Sequence, residues 1–314
     1  MSLDPQAKAF LDHMAASGAP PIHSLTPAQA RAALGNLAEL GGPPAHVAQV
    51  EDRNIPGPGG NIPIRIYTPE TNHQGKALLG VMVYFHGGGW VMCNIDTHDR
   101  ICRKISNESG CIVISVEYRL APENKFPAAL DDAYAATSWV CENATSFGGD
   151  PTRVAVGGDS AGGNLATVTA LLARDRGTPS IAYQVLVYPV TNYYKAGTAS
   201  YKDFAEGYFL SLNDMIWNFN HYLTSEADAE NPLVSPLKAE DLSNLPPALI
   251  ITGEYDPLRD EGEAYGKRLL EEGVPAEIVR FNGLFHPFLN LGGVIEEANR
   301  AISVIANRLK QAIG

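Results

Sequence analysis

From about residue 46 onward, short runs of β-branched and apolar residues alternate with longer stretches whose apolar positions recur at helical spacing. This is the pattern of a largely parallel sheet with helices on its faces. The runs predict eight strands, at Val47–Arg53, Ile62–Tyr67, Val81–Phe85, Ile112–Glu117, Val154–Gly157, Gln184–Tyr188, Ala248–Thr252 and Ala276–Phe281. Helices are predicted at Pro127–Cys141, which opens on proline, at Ala161–Arg174, at Asp260–Glu272 before Gly273, and at Ile295–Ile313. The turn Pro56-Gly57-Pro58-Gly59-Gly60 joins the first two strands as an antiparallel start. The expected class is therefore α/β, with a mostly parallel eight-stranded sheet and helices on both faces.

Two stretches depart from the alternation. In residues 1–45, Thr26-Pro27 supplies a cap and a first-turn proline for the Ala/Leu-rich run Ala28–Leu40, which Gly41-Gly42-Pro43-Pro44 stops. Residues 191–232 carry Tyr193, Tyr194, Tyr201, Phe204, Tyr208, Phe209, Trp217, Phe219 and Tyr222, partly at helical spacing. That segment reads as an insertion whose aromatics pack a small helical subdomain, a few of them lining a pocket. The core is thus expected in two parts, residues 46–190 and 233–314.

Composition narrows the function. Twenty-three Lys+Arg against 35 Asp+Glu give a formal charge of −12, the wrong sign for holding nucleic acid. The longest apolar run, Ala77–Phe85, is far short of the roughly 20 residues a bilayer-crossing helix needs, so no membrane span is expected. Asp4, Lys8 and Asp12 sit where a secretory leader would need an unbroken apolar stretch, and the expected location is the cytoplasm. Cys93, Cys102, Cys111 and Cys141 have neither C-x-x-C nor zinc-ligand spacing and read as reduced, buried thiols.

Chemistry concentrates at two glycine-rich turns. Val154-Ala-Val-Gly-Gly-Asp-Ser160-Ala-Gly-Gly-Asn164 is a strand running through Gly158-x-Ser160-x-Gly162 into an alanine-rich helix. In such a nucleophile elbow the turn is so tight that the residues two before and two after the serine must lack bulk, and the hydroxyl is left exposed. The helix N-terminus at Ala161 adds unpaired N–H groups that favour negative charge. His86-Gly87-Gly88-Gly89-Trp90 follows the third strand, where glycines let amides approach a bound oxygen. Fixed donors aimed at a developing alkoxide are worth roughly 3–4 kcal/mol each. Gly88, Gly89 and Ala161 are the expected oxyanion donors, and His86 is read as bracing its loop.

These motifs, with Tyr118-Arg-Leu-Ala-Pro-Glu123 and Asp256-Pro-Leu-Arg-Asp260, resemble the hormone-sensitive-lipase-like esterases of the α/β-hydrolase superfamily in order and spacing over residues 86–286. The resemblance implies an α/β-hydrolase fold with a helical cap and the chain order serine, acid, histidine. Only His286 of the eight histidines lies beyond residue 221, and Asp256 lies just past the strand Ala248–Thr252. By resemblance Asp256 orients His286, which takes the Ser160 proton and returns it to the leaving alkoxide. Asp256 also reads as a helix cap, with Asp260 or Glu254 as the acid instead. Pro287 stands where the family usually has glycine, removing an N–H and pushing His286 toward extended backbone. Arg119 and Glu123 read as buried or half-buried packing partners.

The expected activity is hydrolysis of short- to medium-chain carboxylic esters without metal or other cofactor. Asp96, His98 and Asp99 fit no metal-site spacing and read as a solvated loop. Trp90, Tyr208, Phe209, Phe285 and Leu289 are the pocket candidates, chosen by nearness to the motifs and the cap. An amidase, lactonase or peptidase would use the same triad, and a ligand receptor is the alternative on the same fold. Homodimerisation through an edge strand or the last helix is common among the enzymes it resembles.

Overall fold

A computed structural model describes residues 2–70 and 77–314. Its eight strands are β1 (Gln49–Gly57), β2 (Gly60–Thr68), β3 (Leu79–Phe85), β4 (Ile112–Val116), β5 (Gly149–Asp159), β6 (Tyr183–Val187), β7 (Ala248–Tyr255) and β8 (Ala276–Phe285). They form one sheet in the order β1-β2-β4-β3-β5-β6-β7-β8. β2 is antiparallel to β1 and to β4, and every later pairing is parallel.

The central strands read as continuous apolar runs because both their faces are covered. Val81, Val83 and Phe85 of β3 face one core, shared with α4 (Ala128–Asn143), α5 (Ala161–Arg176) and α8 (Arg259–Glu271). Met82 and Tyr84 face the other, shared with α3 (Asp99–Ser109) and α9 (Glu296–Ile313). Side chains alternate between these faces with the two-residue period of a strand. Among the described residues no helix is long and apolar enough to cross a membrane.

Several boundaries differ from the expected ones. The run Ala28–Leu40 divides into α2 (Pro27–Ala33) and a 3-10 turn, Leu37–Gly41, with the weak helix formers Gly35 and Asn36 between them. Thr26 and Gln29 cap α2 reciprocally. α3 was not among the predicted helices, since six of its eleven residues are charged or carboxamide-bearing; its buried Ile101, Cys102, Ile105, Ser106 and Ser109 recur at helical spacing. β5 starts earlier and β8 ends later than the apolar runs alone imply.

Before the sheet lies α1 (Pro5–Ala16), capped by Asp4. Between β6 and β7 lie α6 (Ala199–Asp203), α7 (Leu212–Tyr222) and 3-10 turns. The two segments meet: His23 N–H and Nδ1 are 3.0 and 2.9 Å from Asp214 Oδ1, and the Trp217 indole donates to Leu25 O at 3.1 Å. Asn164, three residues into α5, ties down both roots of the inserted part, its Nδ2 donating to Val190 O at 2.8 Å and Val234 O at 3.0 Å. Asn164→Ala should cost about 2 kcal/mol, one per lost bond. Urea denaturation checks this, and proteolysis should speed up within residues 191–234; unchanged midpoint and cleavage would refute the anchoring role.

Candidate active site

The loops that follow β3, β5, β7 and β8 come together at the carboxyl edge of the sheet, the usual position for a site in this architecture. β3 and β5 pair in parallel with Phe85 opposite Gly158, so the glycine loop and the elbow leave the sheet side by side. Ser160 has φ 56° and ψ −119°, a conformation rare for a side chain and typical of a constrained functional turn. The turn explains its glycines. A Cβ on Gly162 would lie 1.9 Å from Phe85 O, and one on Gly158 would lie 2.3 Å from the same atom.

Ser160 is 7% exposed and lines a cavity of about 730 Å³, mouth included, together with Gly88, Gly89 and His286. His286 Nδ1 is 3.0 Å from Asp256 Oδ2, while Asp256 Oδ1 accepts from Leu258 N–H at 2.8 Å. Asp256 is wholly buried, and a carboxylate that accepts from this ring assigns the proton to Nδ1 and leaves Nε2 as the acceptor. The Tyr188 ring lies 4.4 Å from the imidazole, centroid to centroid. His286–Pro287 is a cis peptide bond, and the His286–Asp256 contact is made with proline in place.

The glycine loop turns through Gly88 (φ 107°), Gly89 (φ 61°), Trp90 (φ 60°) and Cys93 (φ 66°). Gly88 O accepts from Val91 and Met92 N–H at 3.1 and 2.8 Å. Among the described residues the amides of Gly88, Gly89 and Ala161 have no acceptor, the last being the first N–H of α5. Asp159 fixes the loop against the elbow: its Oδ1 accepts from Gly87 N–H at 3.0 Å and Tyr84 OH at 2.7 Å, and His98 Nε2 lies 3.2 Å away. Burial opposes the charge on Asp159, but His98 and the Tyr84 hydroxyl hold its carboxyl below the ordinary value.

His86 is buried with its Nδ1 2.7 Å from Gly87 O and its ring stacked on Tyr118 at 4.3 Å. Burial, aided by His98, pushes its imidazole down to about 3, so it stays neutral. Asp96, His98 and Asp99 are engaged elsewhere: Asp96 with Arg65, His98 with Thr97 and Asp159, Asp99 with Tyr67 and Arg103. His98 is buried, not solvated as its sequence position suggests. The thiols of Cys93, Cys102 and Cys111 are buried, that of Cys141 is half-buried, and all four are free. Burial pushes Cys93, which lines the cavity, up to about 12.

The pocket candidates separate. Trp90 and Phe209 line the cavity. Tyr208 packs on Phe204 and Tyr255 at 5.3 and 5.1 Å, while Phe285 and Leu289 are buried in the core around α9. Nearness in sequence to a motif does not decide which way a side chain points. Met92, Asn218, Met215 and Asn290 line the cavity and were not expected there. Arg119 pairs with buried Asp132 as a packing partner. Glu123 is exposed instead, held by Arg31 at 2.6 Å because its carboxylate lies on the rim where the N-terminal segment crosses.

Residues 82–290 match the family described as alpha/beta hydrolase fold. The chain belongs to that family, within its hormone-sensitive-lipase-like group. It is 44% identical to the carboxylic ester hydrolase LipN of Mycobacterium tuberculosis over 83% of this chain and 71% of LipN. It is 46% identical to an arylesterase of Saccharolobus solfataricus over 77% of this chain and 78% of the arylesterase. The solved esterase of the archaeon Pyrobaculum calidifontis superposes with a TM-score of 0.92 at 44% identity, covering 99% of both chains.

One further carboxyl lies near Asp256. Glu261 of α8 is fully buried, its Oε1 accepting from Thr191 and Asn192 N–H at 2.8 and 3.1 Å. Burial, with some help from nearby Asp256, pushes it up to about 8 from 4.5. Between those values the folded chain keeps a proton the unfolded chain has released. This group's contribution therefore falls as pH rises, by up to about 1.4 kcal/mol per pH unit. Glu261→Gln should gain stability relative to the unmutated chain as pH goes from 5 to 8. Urea midpoints at pH 5, 6.5 and 8 test it; parallel pH curves would contradict it.

Proposed function

We propose that the chain is a serine carboxylesterase in which Ser160 is the nucleophile, His286 the general base and Asp256 its orienting acid. The observation that carries this reading is the convergence of three features in one largely apolar cavity. Ser160 stands on a constrained elbow, His286 is oriented through Nδ1 by a buried carboxylate, and two of the three amides without acceptors line the same space. In this reading Ser160 Oγ attacks the ester carbonyl as His286 Nε2 removes its proton. The carbonyl oxygen becomes an alkoxide held by the N–H groups of Gly88, Gly89 and Ala161. Collapse breaks the ester C–O bond, and the imidazolium gives its proton to the departing alkoxide. Water deprotonated by His286 then attacks the acyl-serine and releases the acid, restoring Ser160.

Residues 1–45 and 191–232 act as the cap over this site. Leu34 and Leu37 from the first segment and Phe209, Leu210 and Met215 from the second wall the cavity, which favours short to medium acyl chains. The substrate class is a small carboxylic ester. Ser160→Ala should reduce kcat/KM on p-nitrophenyl butyrate by at least about 10⁴-fold with the fold intact. A p-nitrophenyl series from acetate to palmitate, run beside the matching anilide, should peak at short or middle lengths and be poor on the anilide. Retained turnover in a homogeneous Ser160→Ala preparation would eliminate the nucleophile assignment.

A further inference from the structure

The cavity contains two carboxamides that the proposed reaction does not use. Asn218, from α7, and Asn290, four residues beyond His286, both line it and are 4% and 3% exposed. Among the described residues, the Oδ1 of each is buried without a hydrogen-bond partner. Asn164 Oδ1 is likewise unpartnered, but its Nδ2 makes two bonds to the roots of the insertion and it is outside the cavity lining. A buried polar group left unpaired is costly, so a carboxamide kept idle in an apolar cavity calls for a partner that arrives with the ligand.

Position says where that partner must be. A Cβ on Gly89 would lie 2.2 Å from Asn218 Oδ1 and 2.5 Å from its Nδ2, so the amide rests against the α-carbon of an oxyanion-loop glycine. It therefore borders the place where the scissile carbonyl would sit. Asn290 belongs to the turn Phe288–Leu291 that follows the base. A carboxamide offers a donor pair and an acceptor, and a hydroxyl is the smallest group that complements either.

We propose that Asn218 and Asn290 are specificity-determining residues forming a polar subsite, and that the preferred substrates are esters carrying a hydroxyl close to the scissile bond. This rests on the esterase reading and names its substrate class. The hydroxyl comes from the acyl part or from the alcohol part, and the subsite chemistry is the same in both cases. A site with such groups discriminates against analogues that leave them unpaired.

The test compares kcat/KM for two matched pairs: p-nitrophenyl butyrate against p-nitrophenyl 3-hydroxybutyrate, and ethyl butyrate against 2-hydroxyethyl butyrate. Each is measured on the unmutated chain, on Asn218→Leu and on Asn290→Leu, which replace the amide by an apolar group of similar size. In at least one pair the hydroxyl-to-plain ratio should fall about tenfold in a variant, the equivalent of roughly 1.4 kcal/mol. The pair that responds assigns the hydroxyl to the acyl or the alcohol side, and the variant that responds assigns the contact. Asn218→Ala, which only removes atoms, gives the same readout if leucine against Gly89 disrupts folding. Ratios within twofold of the unmutated chain in both pairs, on variants that still hydrolyse butyrate, overturn the proposal and leave the esterase reading standing. Absence of turnover on all four esters by the unmutated chain defeats the esterase reading instead, and this inference with it.

Discussion

The contact between the first turn of α5 and the end of β3 is the constraint on which the site's geometry depends. Phe85 O lies where a Cβ on either Gly158 or Gly162 would be, so the elbow closes against the strand end only because both positions lack one. The parallel register, Phe85 opposite Gly158, delivers the two loops to the same height. Asp159 then ties them, reaching from the elbow to Gly87 N–H and to the Tyr84 hydroxyl. The separation of Ser160 from the Gly88 and Gly89 amides is thereby fixed by backbone packing and one buried carboxylate. Catalytic donors held in this way need no reorganisation when charge develops.

The inserted segment and the N-terminal segment are bound to the same loops by polar contacts. Asn164 lies on the nucleophile helix and holds Val190 and Val234, while Glu261 holds Thr191 and Asn192. Ser200 of α6 donates its hydroxyl to Pro257 O at 2.7 Å and its N–H to Asp260 Oδ2 at 2.8 Å. Residues 256–261 therefore hold His286 at one end and anchor the insertion at the other. The N-terminal segment is clamped differently: Arg31 donates to Val91 O, just beyond the glycine loop, and to Ala121 O. A shift of either cap segment must break contacts with residues beside the reacting groups.

What the sequence disclosed follows from how local each cause is. The elbow and glycine loop were legible because close backbone approach demands glycine at fixed offsets, and those offsets survive in the chain itself. The central strands were legible because burial on both faces leaves an unbroken apolar run. α3 was not, because burying one stripe leaves the rest of that helix charged. The cavity wall was legible only in part. Trp90 is positioned by its own turn, whereas Phe285, next to His286, faces the α9 core and stacks on Phe10 at 5.9 Å. Asn218 reaches the site through the folding of the insertion, and nothing within its own stretch of sequence signals this.

Three buried carboxyls hold the loops that leave this edge of the sheet, and their environments meet the cost of burial in different ways. Asp256 has the Leu258 amide on one oxygen and the His286 ring on the other. Asp159 has His98, a tyrosine hydroxyl and an amide. Glu261 has two amides on one oxygen, and its burial is met by holding a proton up to about 8. A third full negative charge at this depth would be repelled by Asp256, which helps keep the proton on Glu261. Holding its proton lets Glu261 keep its two hydrogen bonds to the root of the insertion without that repulsion. The division leaves Asp256 as the carboxylate in contact with His286, and it follows from burial and hydrogen bonding around residues that the sheet topology brings to one edge.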